Sequence, residues 1–392
     1  MGRFFARATR GIEWIAAAEI TGRAGGTVHD LGHREVHFSL SASSPASSSS
    51  ASVLLGLRTV DDVFAWAGRV DGMGRERSSL GALARLPASG VASALASVAS
   101  LRPVPDAAPF DVVASFLGRR NYNRFDIEDA AGAALARLTG GSYVSRRAVG
   151  APPASTLSWR IHVRDDTAIL GLRLASRPLH RRALAWATVP GSLHPPVAAA
   201  LALLGGVAPG QWLGDPFCGS GTILAEYLHL APTGRAVGVD TSPDAVAAAR
   251  ANLAATGCDD RALIAMADAG LMPLRPNALD VVVTNPPWGR TVALSGLGPS
   301  AEARAWQSVS ACLARFGRLV VVAEEPPSAS AGGVRPLPGW VGPVLSFGPL
   351  SVSGSKPSVS VYTRSGDPGG GLPPPGSLLA PELARFADHA RG

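Results

Sequence analysis

Lysine is all but missing from this chain: Lys356 is the single one, and arginine supplies the rest of the 36 basic side chains. They outnumber the 29 acidic groups and leave a formal charge of +7. That balance favours a polyanionic partner, since phosphate contacts release counterions whatever the base sequence. Arginine written alongside so much alanine, glycine and proline also reflects a GC-rich gene, so charge alone leaves nucleic-acid binding open. Cysteine is scarce as well. Cys218, Cys258 and Cys312 have no CxxC spacing, which argues against a disulfide framework or a zinc site, and no metal is expected. There is no apolar run of about eighteen residues, so no membrane-spanning helix is expected. Met1–Arg7 lacks the apolar stretch and cleavage site of a signal peptide, which makes a cytoplasmic protein the expectation. What is plentiful is apolar material: 46% hydrophobic against 17% charged residues over 392 positions, enough for two or three folded domains.

Along the chain the texture changes three times. Gly11–Arg23 carries a helical pattern, and Val36-His37-Phe38 then reads as strand. His29, His33 and His37 recur every fourth residue, but they fall in strand and turn, so they are not expected to share a helix face. Residues 41–52 are a serine-rich, low-complexity stretch expected to be a loop insertion. Val60–Ala67 reads as a short helix with an acidic first turn at Asp61 and Asp62. The segment 110–182 reads as strand, helix and two strands, an α+β pattern, with twelve arginines against six acids. From about residue 193 strand and helix alternate, which implies a mostly parallel sheet covered on both faces. In that half Ser242-Pro243-Asp244 marks a helix start and Gly257 its stop. The tail from 366 to 392 is rich in proline and glycine.

Two motifs carry chemistry. Asp215-Pro216-Phe217-Cys218-Gly219-Ser220-Gly221-Thr222 ends one strand in an acid and turns through glycines into a helix, leaving backbone N–H groups to meet an anionic ligand. Leu224 stands where a dinucleotide fingerprint has its third glycine, which points away from a dinucleotide. Asp240 ends the next strand, the place of an acid that accepts from ribose hydroxyls, and Asp268 ends the third, where it would accept from an adenine amine. Asn285-Pro286-Pro287-Trp288 ends the fourth. Two prolines lock the backbone so that the Asn285 side-chain oxygen and the Pro286 carbonyl aim at one point. Acceptors there would help an aromatic amine, a poor nucleophile, to bear developing positive charge. Trp288 offers a stacking face worth about 1–3 kcal/mol per base.

These motifs resemble the class I S-adenosylmethionine-dependent methyltransferases, in the amino-methylating branch with an (Asn/Asp)-Pro-Pro-aromatic signature. Asp215–Thr222 followed by Asn285–Trp288 is typical of RNA guanine-N2 methyltransferases that carry a THUMP domain. Upstream, Phe4–Glu13 looks like that family's ferredoxin-like start, and Arg120-Asn121-Tyr122-Asn123-Arg124-Phe125 like the THUMP core. Arg177–Arg182 and Pro190–Ala198 look like the joint before the catalytic domain. The resemblance implies an α/β, Rossmann-like methyltransferase domain with a seven-stranded, mostly parallel sheet at 183–365. It would follow a ferredoxin-like region at 1–60 and a THUMP-like RNA-binding region at 61–182. S-adenosylmethionine is the implied cofactor, with Asp215, Phe217, Gly219 and Gly221 around its methionine, Asp240 on the ribose and Asp268 on the adenine. Asn285, Pro286, Pro287 and Trp288 would hold the target guanine. Arg119, Arg120, Arg124, Arg146, Arg147, Arg181 and Arg182 are the implied RNA contacts, with tRNA as partner, position six of the acceptor stem as target, and a monomer as the working state. Trp288 replaces the family's usual tyrosine or phenylalanine. DNA amino-methylation, protein glutamine methylation and a tRNA-binding protein without activity are the competing readings.

Overall fold

Helices and strands of the computed structural model fall into two compact units, Met1–Arg7 with Ile20–Leu179 and Ala8–Glu19 with His180–Gly392. The structure describes residues 2–41, 50–153, 155–182, 186–287, 298–323, 340–350, 356–364 and 380–391. Among them no single helix is long and apolar enough to cross a membrane. Most of the serine-rich stretch and most of the tail lie outside the described residues, as does Trp288.

The first half of the chain runs β1 (Gly2–Arg7), α1 (Glu13–Ala24), β2 (Thr27–Gly32), β3 (Glu35–Leu40), α2 (Ser50–Leu54), β4 (Asp62–Asp71), α3 (Ala88–Ala99), β5 (Phe110–Phe116), α4 (Arg124–Thr139), α5 (Arg146–Val149), β6 (Leu157–Arg164) and β7 (Thr167–Arg173). Its seven strands make one sheet in the order β2-β3-β1-β4-β7-β6-β5, so the sheet runs without a break across the boundary expected at residue 60. The stretch expected as a helix at 60–67 is instead β4, a central strand paired with β1 and β7. Val63, Phe64, Trp66 and Val70 are β-branched or aromatic, and cross-strand packing such as the Phe5–Phe64 stack at 5.0 Å outweighs the helix-start signal. Asp62 does not cap a helix but pairs with Arg173 at 2.5 Å. Burial pushes its carboxyl up to about 6, with Arg173 pulling it back down. The α4 helix starts on a capping box between Asn123 and Asp126 and ends at Gly140, whose φ of 69° is left-handed.

The second half runs α6 (Pro195–Gly205), β8 (Trp212–Asp215), α7 (Thr222–Leu230), β9 (Arg235–Asp240), α8 (Pro243–Ala255), β10 (Ala262–Met266), β11 (Leu279–Thr284), α9 (Gly298–Cys312), β12 (Leu313–Ala323), β13 (Trp340–Phe347), β14 (Ser358–Arg364) and α10 (Pro381–Phe386). The sheet order is β10-β9-β8-β11-β12-β14-β13. It is parallel from β10 to β12, and β14 runs antiparallel to both its neighbours. This is the seven-stranded, mostly parallel sheet that the resemblance implied. Ser242 caps α8 by accepting from the Ala245 N–H at 3.3 Å, and Pro243 follows in the first turn. Val239, Val282, Trp306, Val309, Leu313 and Val321 are buried together in the core under α9, each worth about 1.5–3 kcal/mol relative to exposure. Helix α9 ends at Cys312, earlier than the expected 316. Leu313 already pairs with Leu279, and the ladder resumes at Arg318 after an irregularity.

Candidate active site

The carboxyl ends of β8, β9, β10 and β11 share one edge of the parallel sheet, because right-handed crossovers return each strand in the same direction. At the end of β8, Asp215 is buried, and its Oδ1 accepts from the Thr284 hydroxyl at 2.8 Å and the Phe217 N–H at 3.1 Å. Burial pushes this carboxyl up to about 7; the Thr284 and Phe217 bonds oppose the rise, and Asp240 adds to it. A folded-state value above the ordinary 3.8 means that the folded protein binds this proton more tightly than the unfolded chain. The stabilisation is therefore complete below about 3.8 and is lost as pH rises through about 7. An Asp215→Asn variant keeps an acceptor for Thr284 and Phe217 but has no proton to lose. Its stability relative to the parent, from urea unfolding, should grow between pH 5 and pH 8; a difference constant with pH would contradict this.

The turn that follows is held from the neighbouring strand. Asp240 Oδ2 accepts from the Gly219 N–H at 2.9 Å while its Oδ1 accepts from the Ser242 N–H at 2.9 Å. The carboxylate is thus aimed by two backbone donors and stays half-buried at the edge. Gly219 and Gly221 take φ of 51° and 74°, a region costly to residues with a Cβ. The position of Leu224 now has a structural meaning. The third glycine of a dinucleotide fingerprint lets helix and strand approach; here the glycine sits on the strand, for a Cβ on Gly238 would lie 2.5 Å from Leu224 Cδ1. Buried Cys218 has its thiol pushed far up by burial, with Asp215 and Asp240 adding to the rise, so it is no nucleophile.

Asp268 stands two residues beyond β10, exposed, with Oδ1 accepting from the Gly270 N–H at 2.8 Å. Asn285, Pro286 and Pro287 leave β11, and the strand's last residue, Thr284, is the one bonded to Asp215. Phe217, Gly219, Asp240, Asn285 and Pro287 are all half-buried along this edge. The sequence reading had missed Thr284, Asn252 and the Pro190-Gly191-Ser192 turn as parts of the site. Of these, Pro190-Gly191-Ser192 stands in the sequence reading only as part of the joint before the catalytic domain, and Thr284 offers one local signal, a hydroxyl directly before Asn285 and the proline pair.

The seven arginines expected at RNA divide by what they touch. Arg119, Arg124 and Arg181 are exposed, with Arg124 lying 4.5 Å over the Phe125 ring. Arg146 and Arg147 are engaged with acids, Arg146 with Asp111 at 2.5 Å and Arg147 with Asp126 at 2.8 Å and Asp129 at 3.2 Å. Arg120 is spent on its own fold: it donates to the carbonyls of Met73, Gly74 and Asp165. Arg182 is a clear correction. Its side chain is 6% exposed and pairs at 2.8 Å with Glu226, which is 0% exposed, so it is a core residue and not a surface for phosphate.

A parallel sheet of this order, with an acid-glycine turn on β8 and an acid at the end of β9, defines a class I, S-adenosylmethionine-dependent methyltransferase fold. Residues 182–329 match the family model UPF0020, the RMKL-like methyltransferase domain. The chain is 34% identical over 200 residues to the tRNA (guanine(6)-N2)-methyltransferase of Thermus thermophilus, a match covering 50% of this chain and 57% of that enzyme. It is 31% identical over 134 residues to the U6 snRNA (guanine-N(2))-methyltransferase THUMPD2 of Bos taurus, across 34% of this chain and 26% of the relative. The match thus spans less than two thirds of either relative. Among solved structures, TrmN from Thermus thermophilus superposes with a TM-score of 0.70 at 26% identity, covering 93% of this chain and 100% of that one.

Proposed function

We propose that this protein transfers a methyl group from S-adenosylmethionine to the exocyclic N2 amine of a guanosine in tRNA, at position six of the acceptor stem. The reading rests above all on the Thr284–Asp215 hydrogen bond, which joins the strand end bearing Asn285-Pro286-Pro287 to the glycine turn. The guanine-N2 specificity named for both relatives supports it, as does a sheet-edge cradle of suitable donors and acceptors. The cradle suits the cofactor: Asp240 is held half-buried with its carboxylate pre-aimed, and among the described residues only Val189 Cγ2, at 3.6 Å, would meet a side chain on Gly219. Asp240 would take the ribose hydroxyls, Asp268 the adenine, and Phe217, Gly219 and Gly221 the methionine end. When bound, the cofactor supplies a methyl group already activated on sulfonium, so the protein's task is mainly positioning. Asn285 Oδ1 and the Pro286 carbonyl accept from the target amine, favour a pyramidal nitrogen and stabilise its growing positive charge. Pro287 locks their backbone and Trp288 stacks on the base. The first unit, in our reading carrying a THUMP-type module, would grip the RNA by shape and backbone through Arg119 and Arg124, and Arg181 of the second unit would add a phosphate contact. Such a protein would work as a monomer in the cytoplasm.

The test is incubation with cofactor labelled in its methyl group and, separately, total tRNA, genomic DNA and a protein extract. Label should enter tRNA alone and appear as N2-methylguanosine on nucleoside mass spectrometry. Label in adenine or cytosine of DNA, or in glutamine, would replace this reading with one of its rivals.

A further inference from the structure

Just before α6 the chain makes a tight turn, Val189-Pro190-Gly191-Ser192, that touches both halves of the site. The residues suit a type II turn, with proline second and Gly191 third at φ 83°. It is closed twice: the Ser192 N–H donates to the Val189 carbonyl at 3.0 Å, and the Val189 N–H donates to Ser192 Oγ at 2.9 Å. Two bonds leave this rigid turn. Ser192 Oγ meets Ser220 Oγ at 2.9 Å, inside the cofactor glycine turn. The Gly191 carbonyl accepts from Asn285 Nδ2 at 3.2 Å.

The stem of the turn is anchored by Asn252 on α8, which is 0% exposed. Its Oδ1 accepts from the Ala187 N–H at 2.8 Å, and its Nδ2 donates to the Ala187 carbonyl at 2.8 Å and the Ser220 carbonyl at 2.9 Å. The side-chain amide therefore pairs with both backbone groups of Ala187 as a neighbouring strand would, and holds the glycine turn with its second N–H. Aspartate has the shape but no donor, so no other side chain of this length does the same.

Building on the methyl-transfer reading, we propose that this turn is a positioning element for the reaction, with Gly191 selecting the orientation of the Asn285 amide. An amide has chemically opposite ends. With Nδ2 on the Gly191 carbonyl, Oδ1 is turned away from it, as an acceptor for an incoming amine must be. The flipped amide would press Oδ1 against the Gly191 carbonyl, two acceptors with no proton between them. Ser192 and Asn252 are positioning residues that keep the turn in register with the cofactor side.

Ser192→Ala and Gly191→Ala test this with the full-length protein. The first removes both the link to Ser220 and the side-chain bond that closes the turn on the Val189 N–H. The second strains a left-handed backbone position, yet among the described residues no atom lies within 4 Å of the added Cβ, so it shifts the turn without a clash against them. In single turnovers with saturating cofactor and tRNA, the Ser192→Ala rate should fall about tenfold or more, the effect of losing the two hydrogen bonds of the Ser192 hydroxyl. Gly191→Ala should fall at least as far, while the tRNA concentration for half-maximal rate stays within about twofold. Cofactor stoichiometry by calorimetry should stay unchanged, and Ser192→Thr, which keeps the hydroxyl, should recover the rate. Unchanged rates in both alanine variants of an active protein would overturn the positioning role. So would a loss tracking the cofactor-competent fraction and not rescued by threonine. A parent protein that binds cofactor but transfers nothing to any RNA would overturn the functional reading, and this inference with it.

Discussion

Asn285→Ala is expected to lower the single-turnover methylation rate by about 10²–10³-fold, the range for removing one preorganised group aimed at charge that develops in a transition state. Cofactor affinity should stay within about twofold, because Asn285 lies just beyond β11 and the bonds that hold the glycine turn come from Asp240, Thr284, Asn252 and Ser192. The amine gains positive charge only as its lone pair leaves the ring, so the acceptor matters more in the transition state than in the bound complex. The loss should therefore fall on the rate and leave half-saturation by tRNA little changed. Single-turnover kinetics beside calorimetry of cofactor binding separate these quantities. A variant retaining most of its rate would remove Asn285 from the chemistry.

Arg182→Met is expected to cost about 3–5 kcal/mol of stability, because it removes the arginine paired with a carboxylate that is 0% exposed. The two side chains, 6% and 0% exposed, bond at 2.8 Å, and the pair ties the start of the C-terminal unit to α7. Adding Glu226→Leu to that variant should recover much of the loss, since a buried ion pair replaced whole by apolar groups is often neutral. Urea unfolding of the parent, the single and the double variant measures this. A single variant within about 1 kcal/mol of the parent would mean the pair behaves as a surface one. The same experiment separates a core arginine from an RNA contact, which would weaken tRNA binding and leave the unfolding midpoint in place.

Local pattern carried the C-terminal unit well. Ser242-Pro243 and Gly257 bracket α8 because caps and stops depend on neighbours in sequence. The N-terminal unit was less legible. Asp61-Asp62 before an apolar run resembles a helix start, and only the pairing of β4 between β1 and β7 makes it a strand. Arginine content was equally ambiguous. Arg119 and Arg120 are neighbours of identical type, yet one is exposed and the other is bound to three backbone carbonyls brought from residues 73, 74 and 165.

What the sequence determined by itself is the order of strands and helices from β8 onward and the placing of Asp215, Asp240 and Asn285 at or just beyond strand ends. Periodicity, capping and crossover handedness are local or universal rules, and together they bring those residues to one sheet edge. Tertiary structure alone decided how the site is held: Thr284 to Asp215 across 69 residues, Asn252 to Ala187 across 65, and Gly191 to Asn285 across 94. Each is a hydrogen bond between groups that no local pattern relates, formed only because the packed sheet and helices bring both partners within about 3 Å.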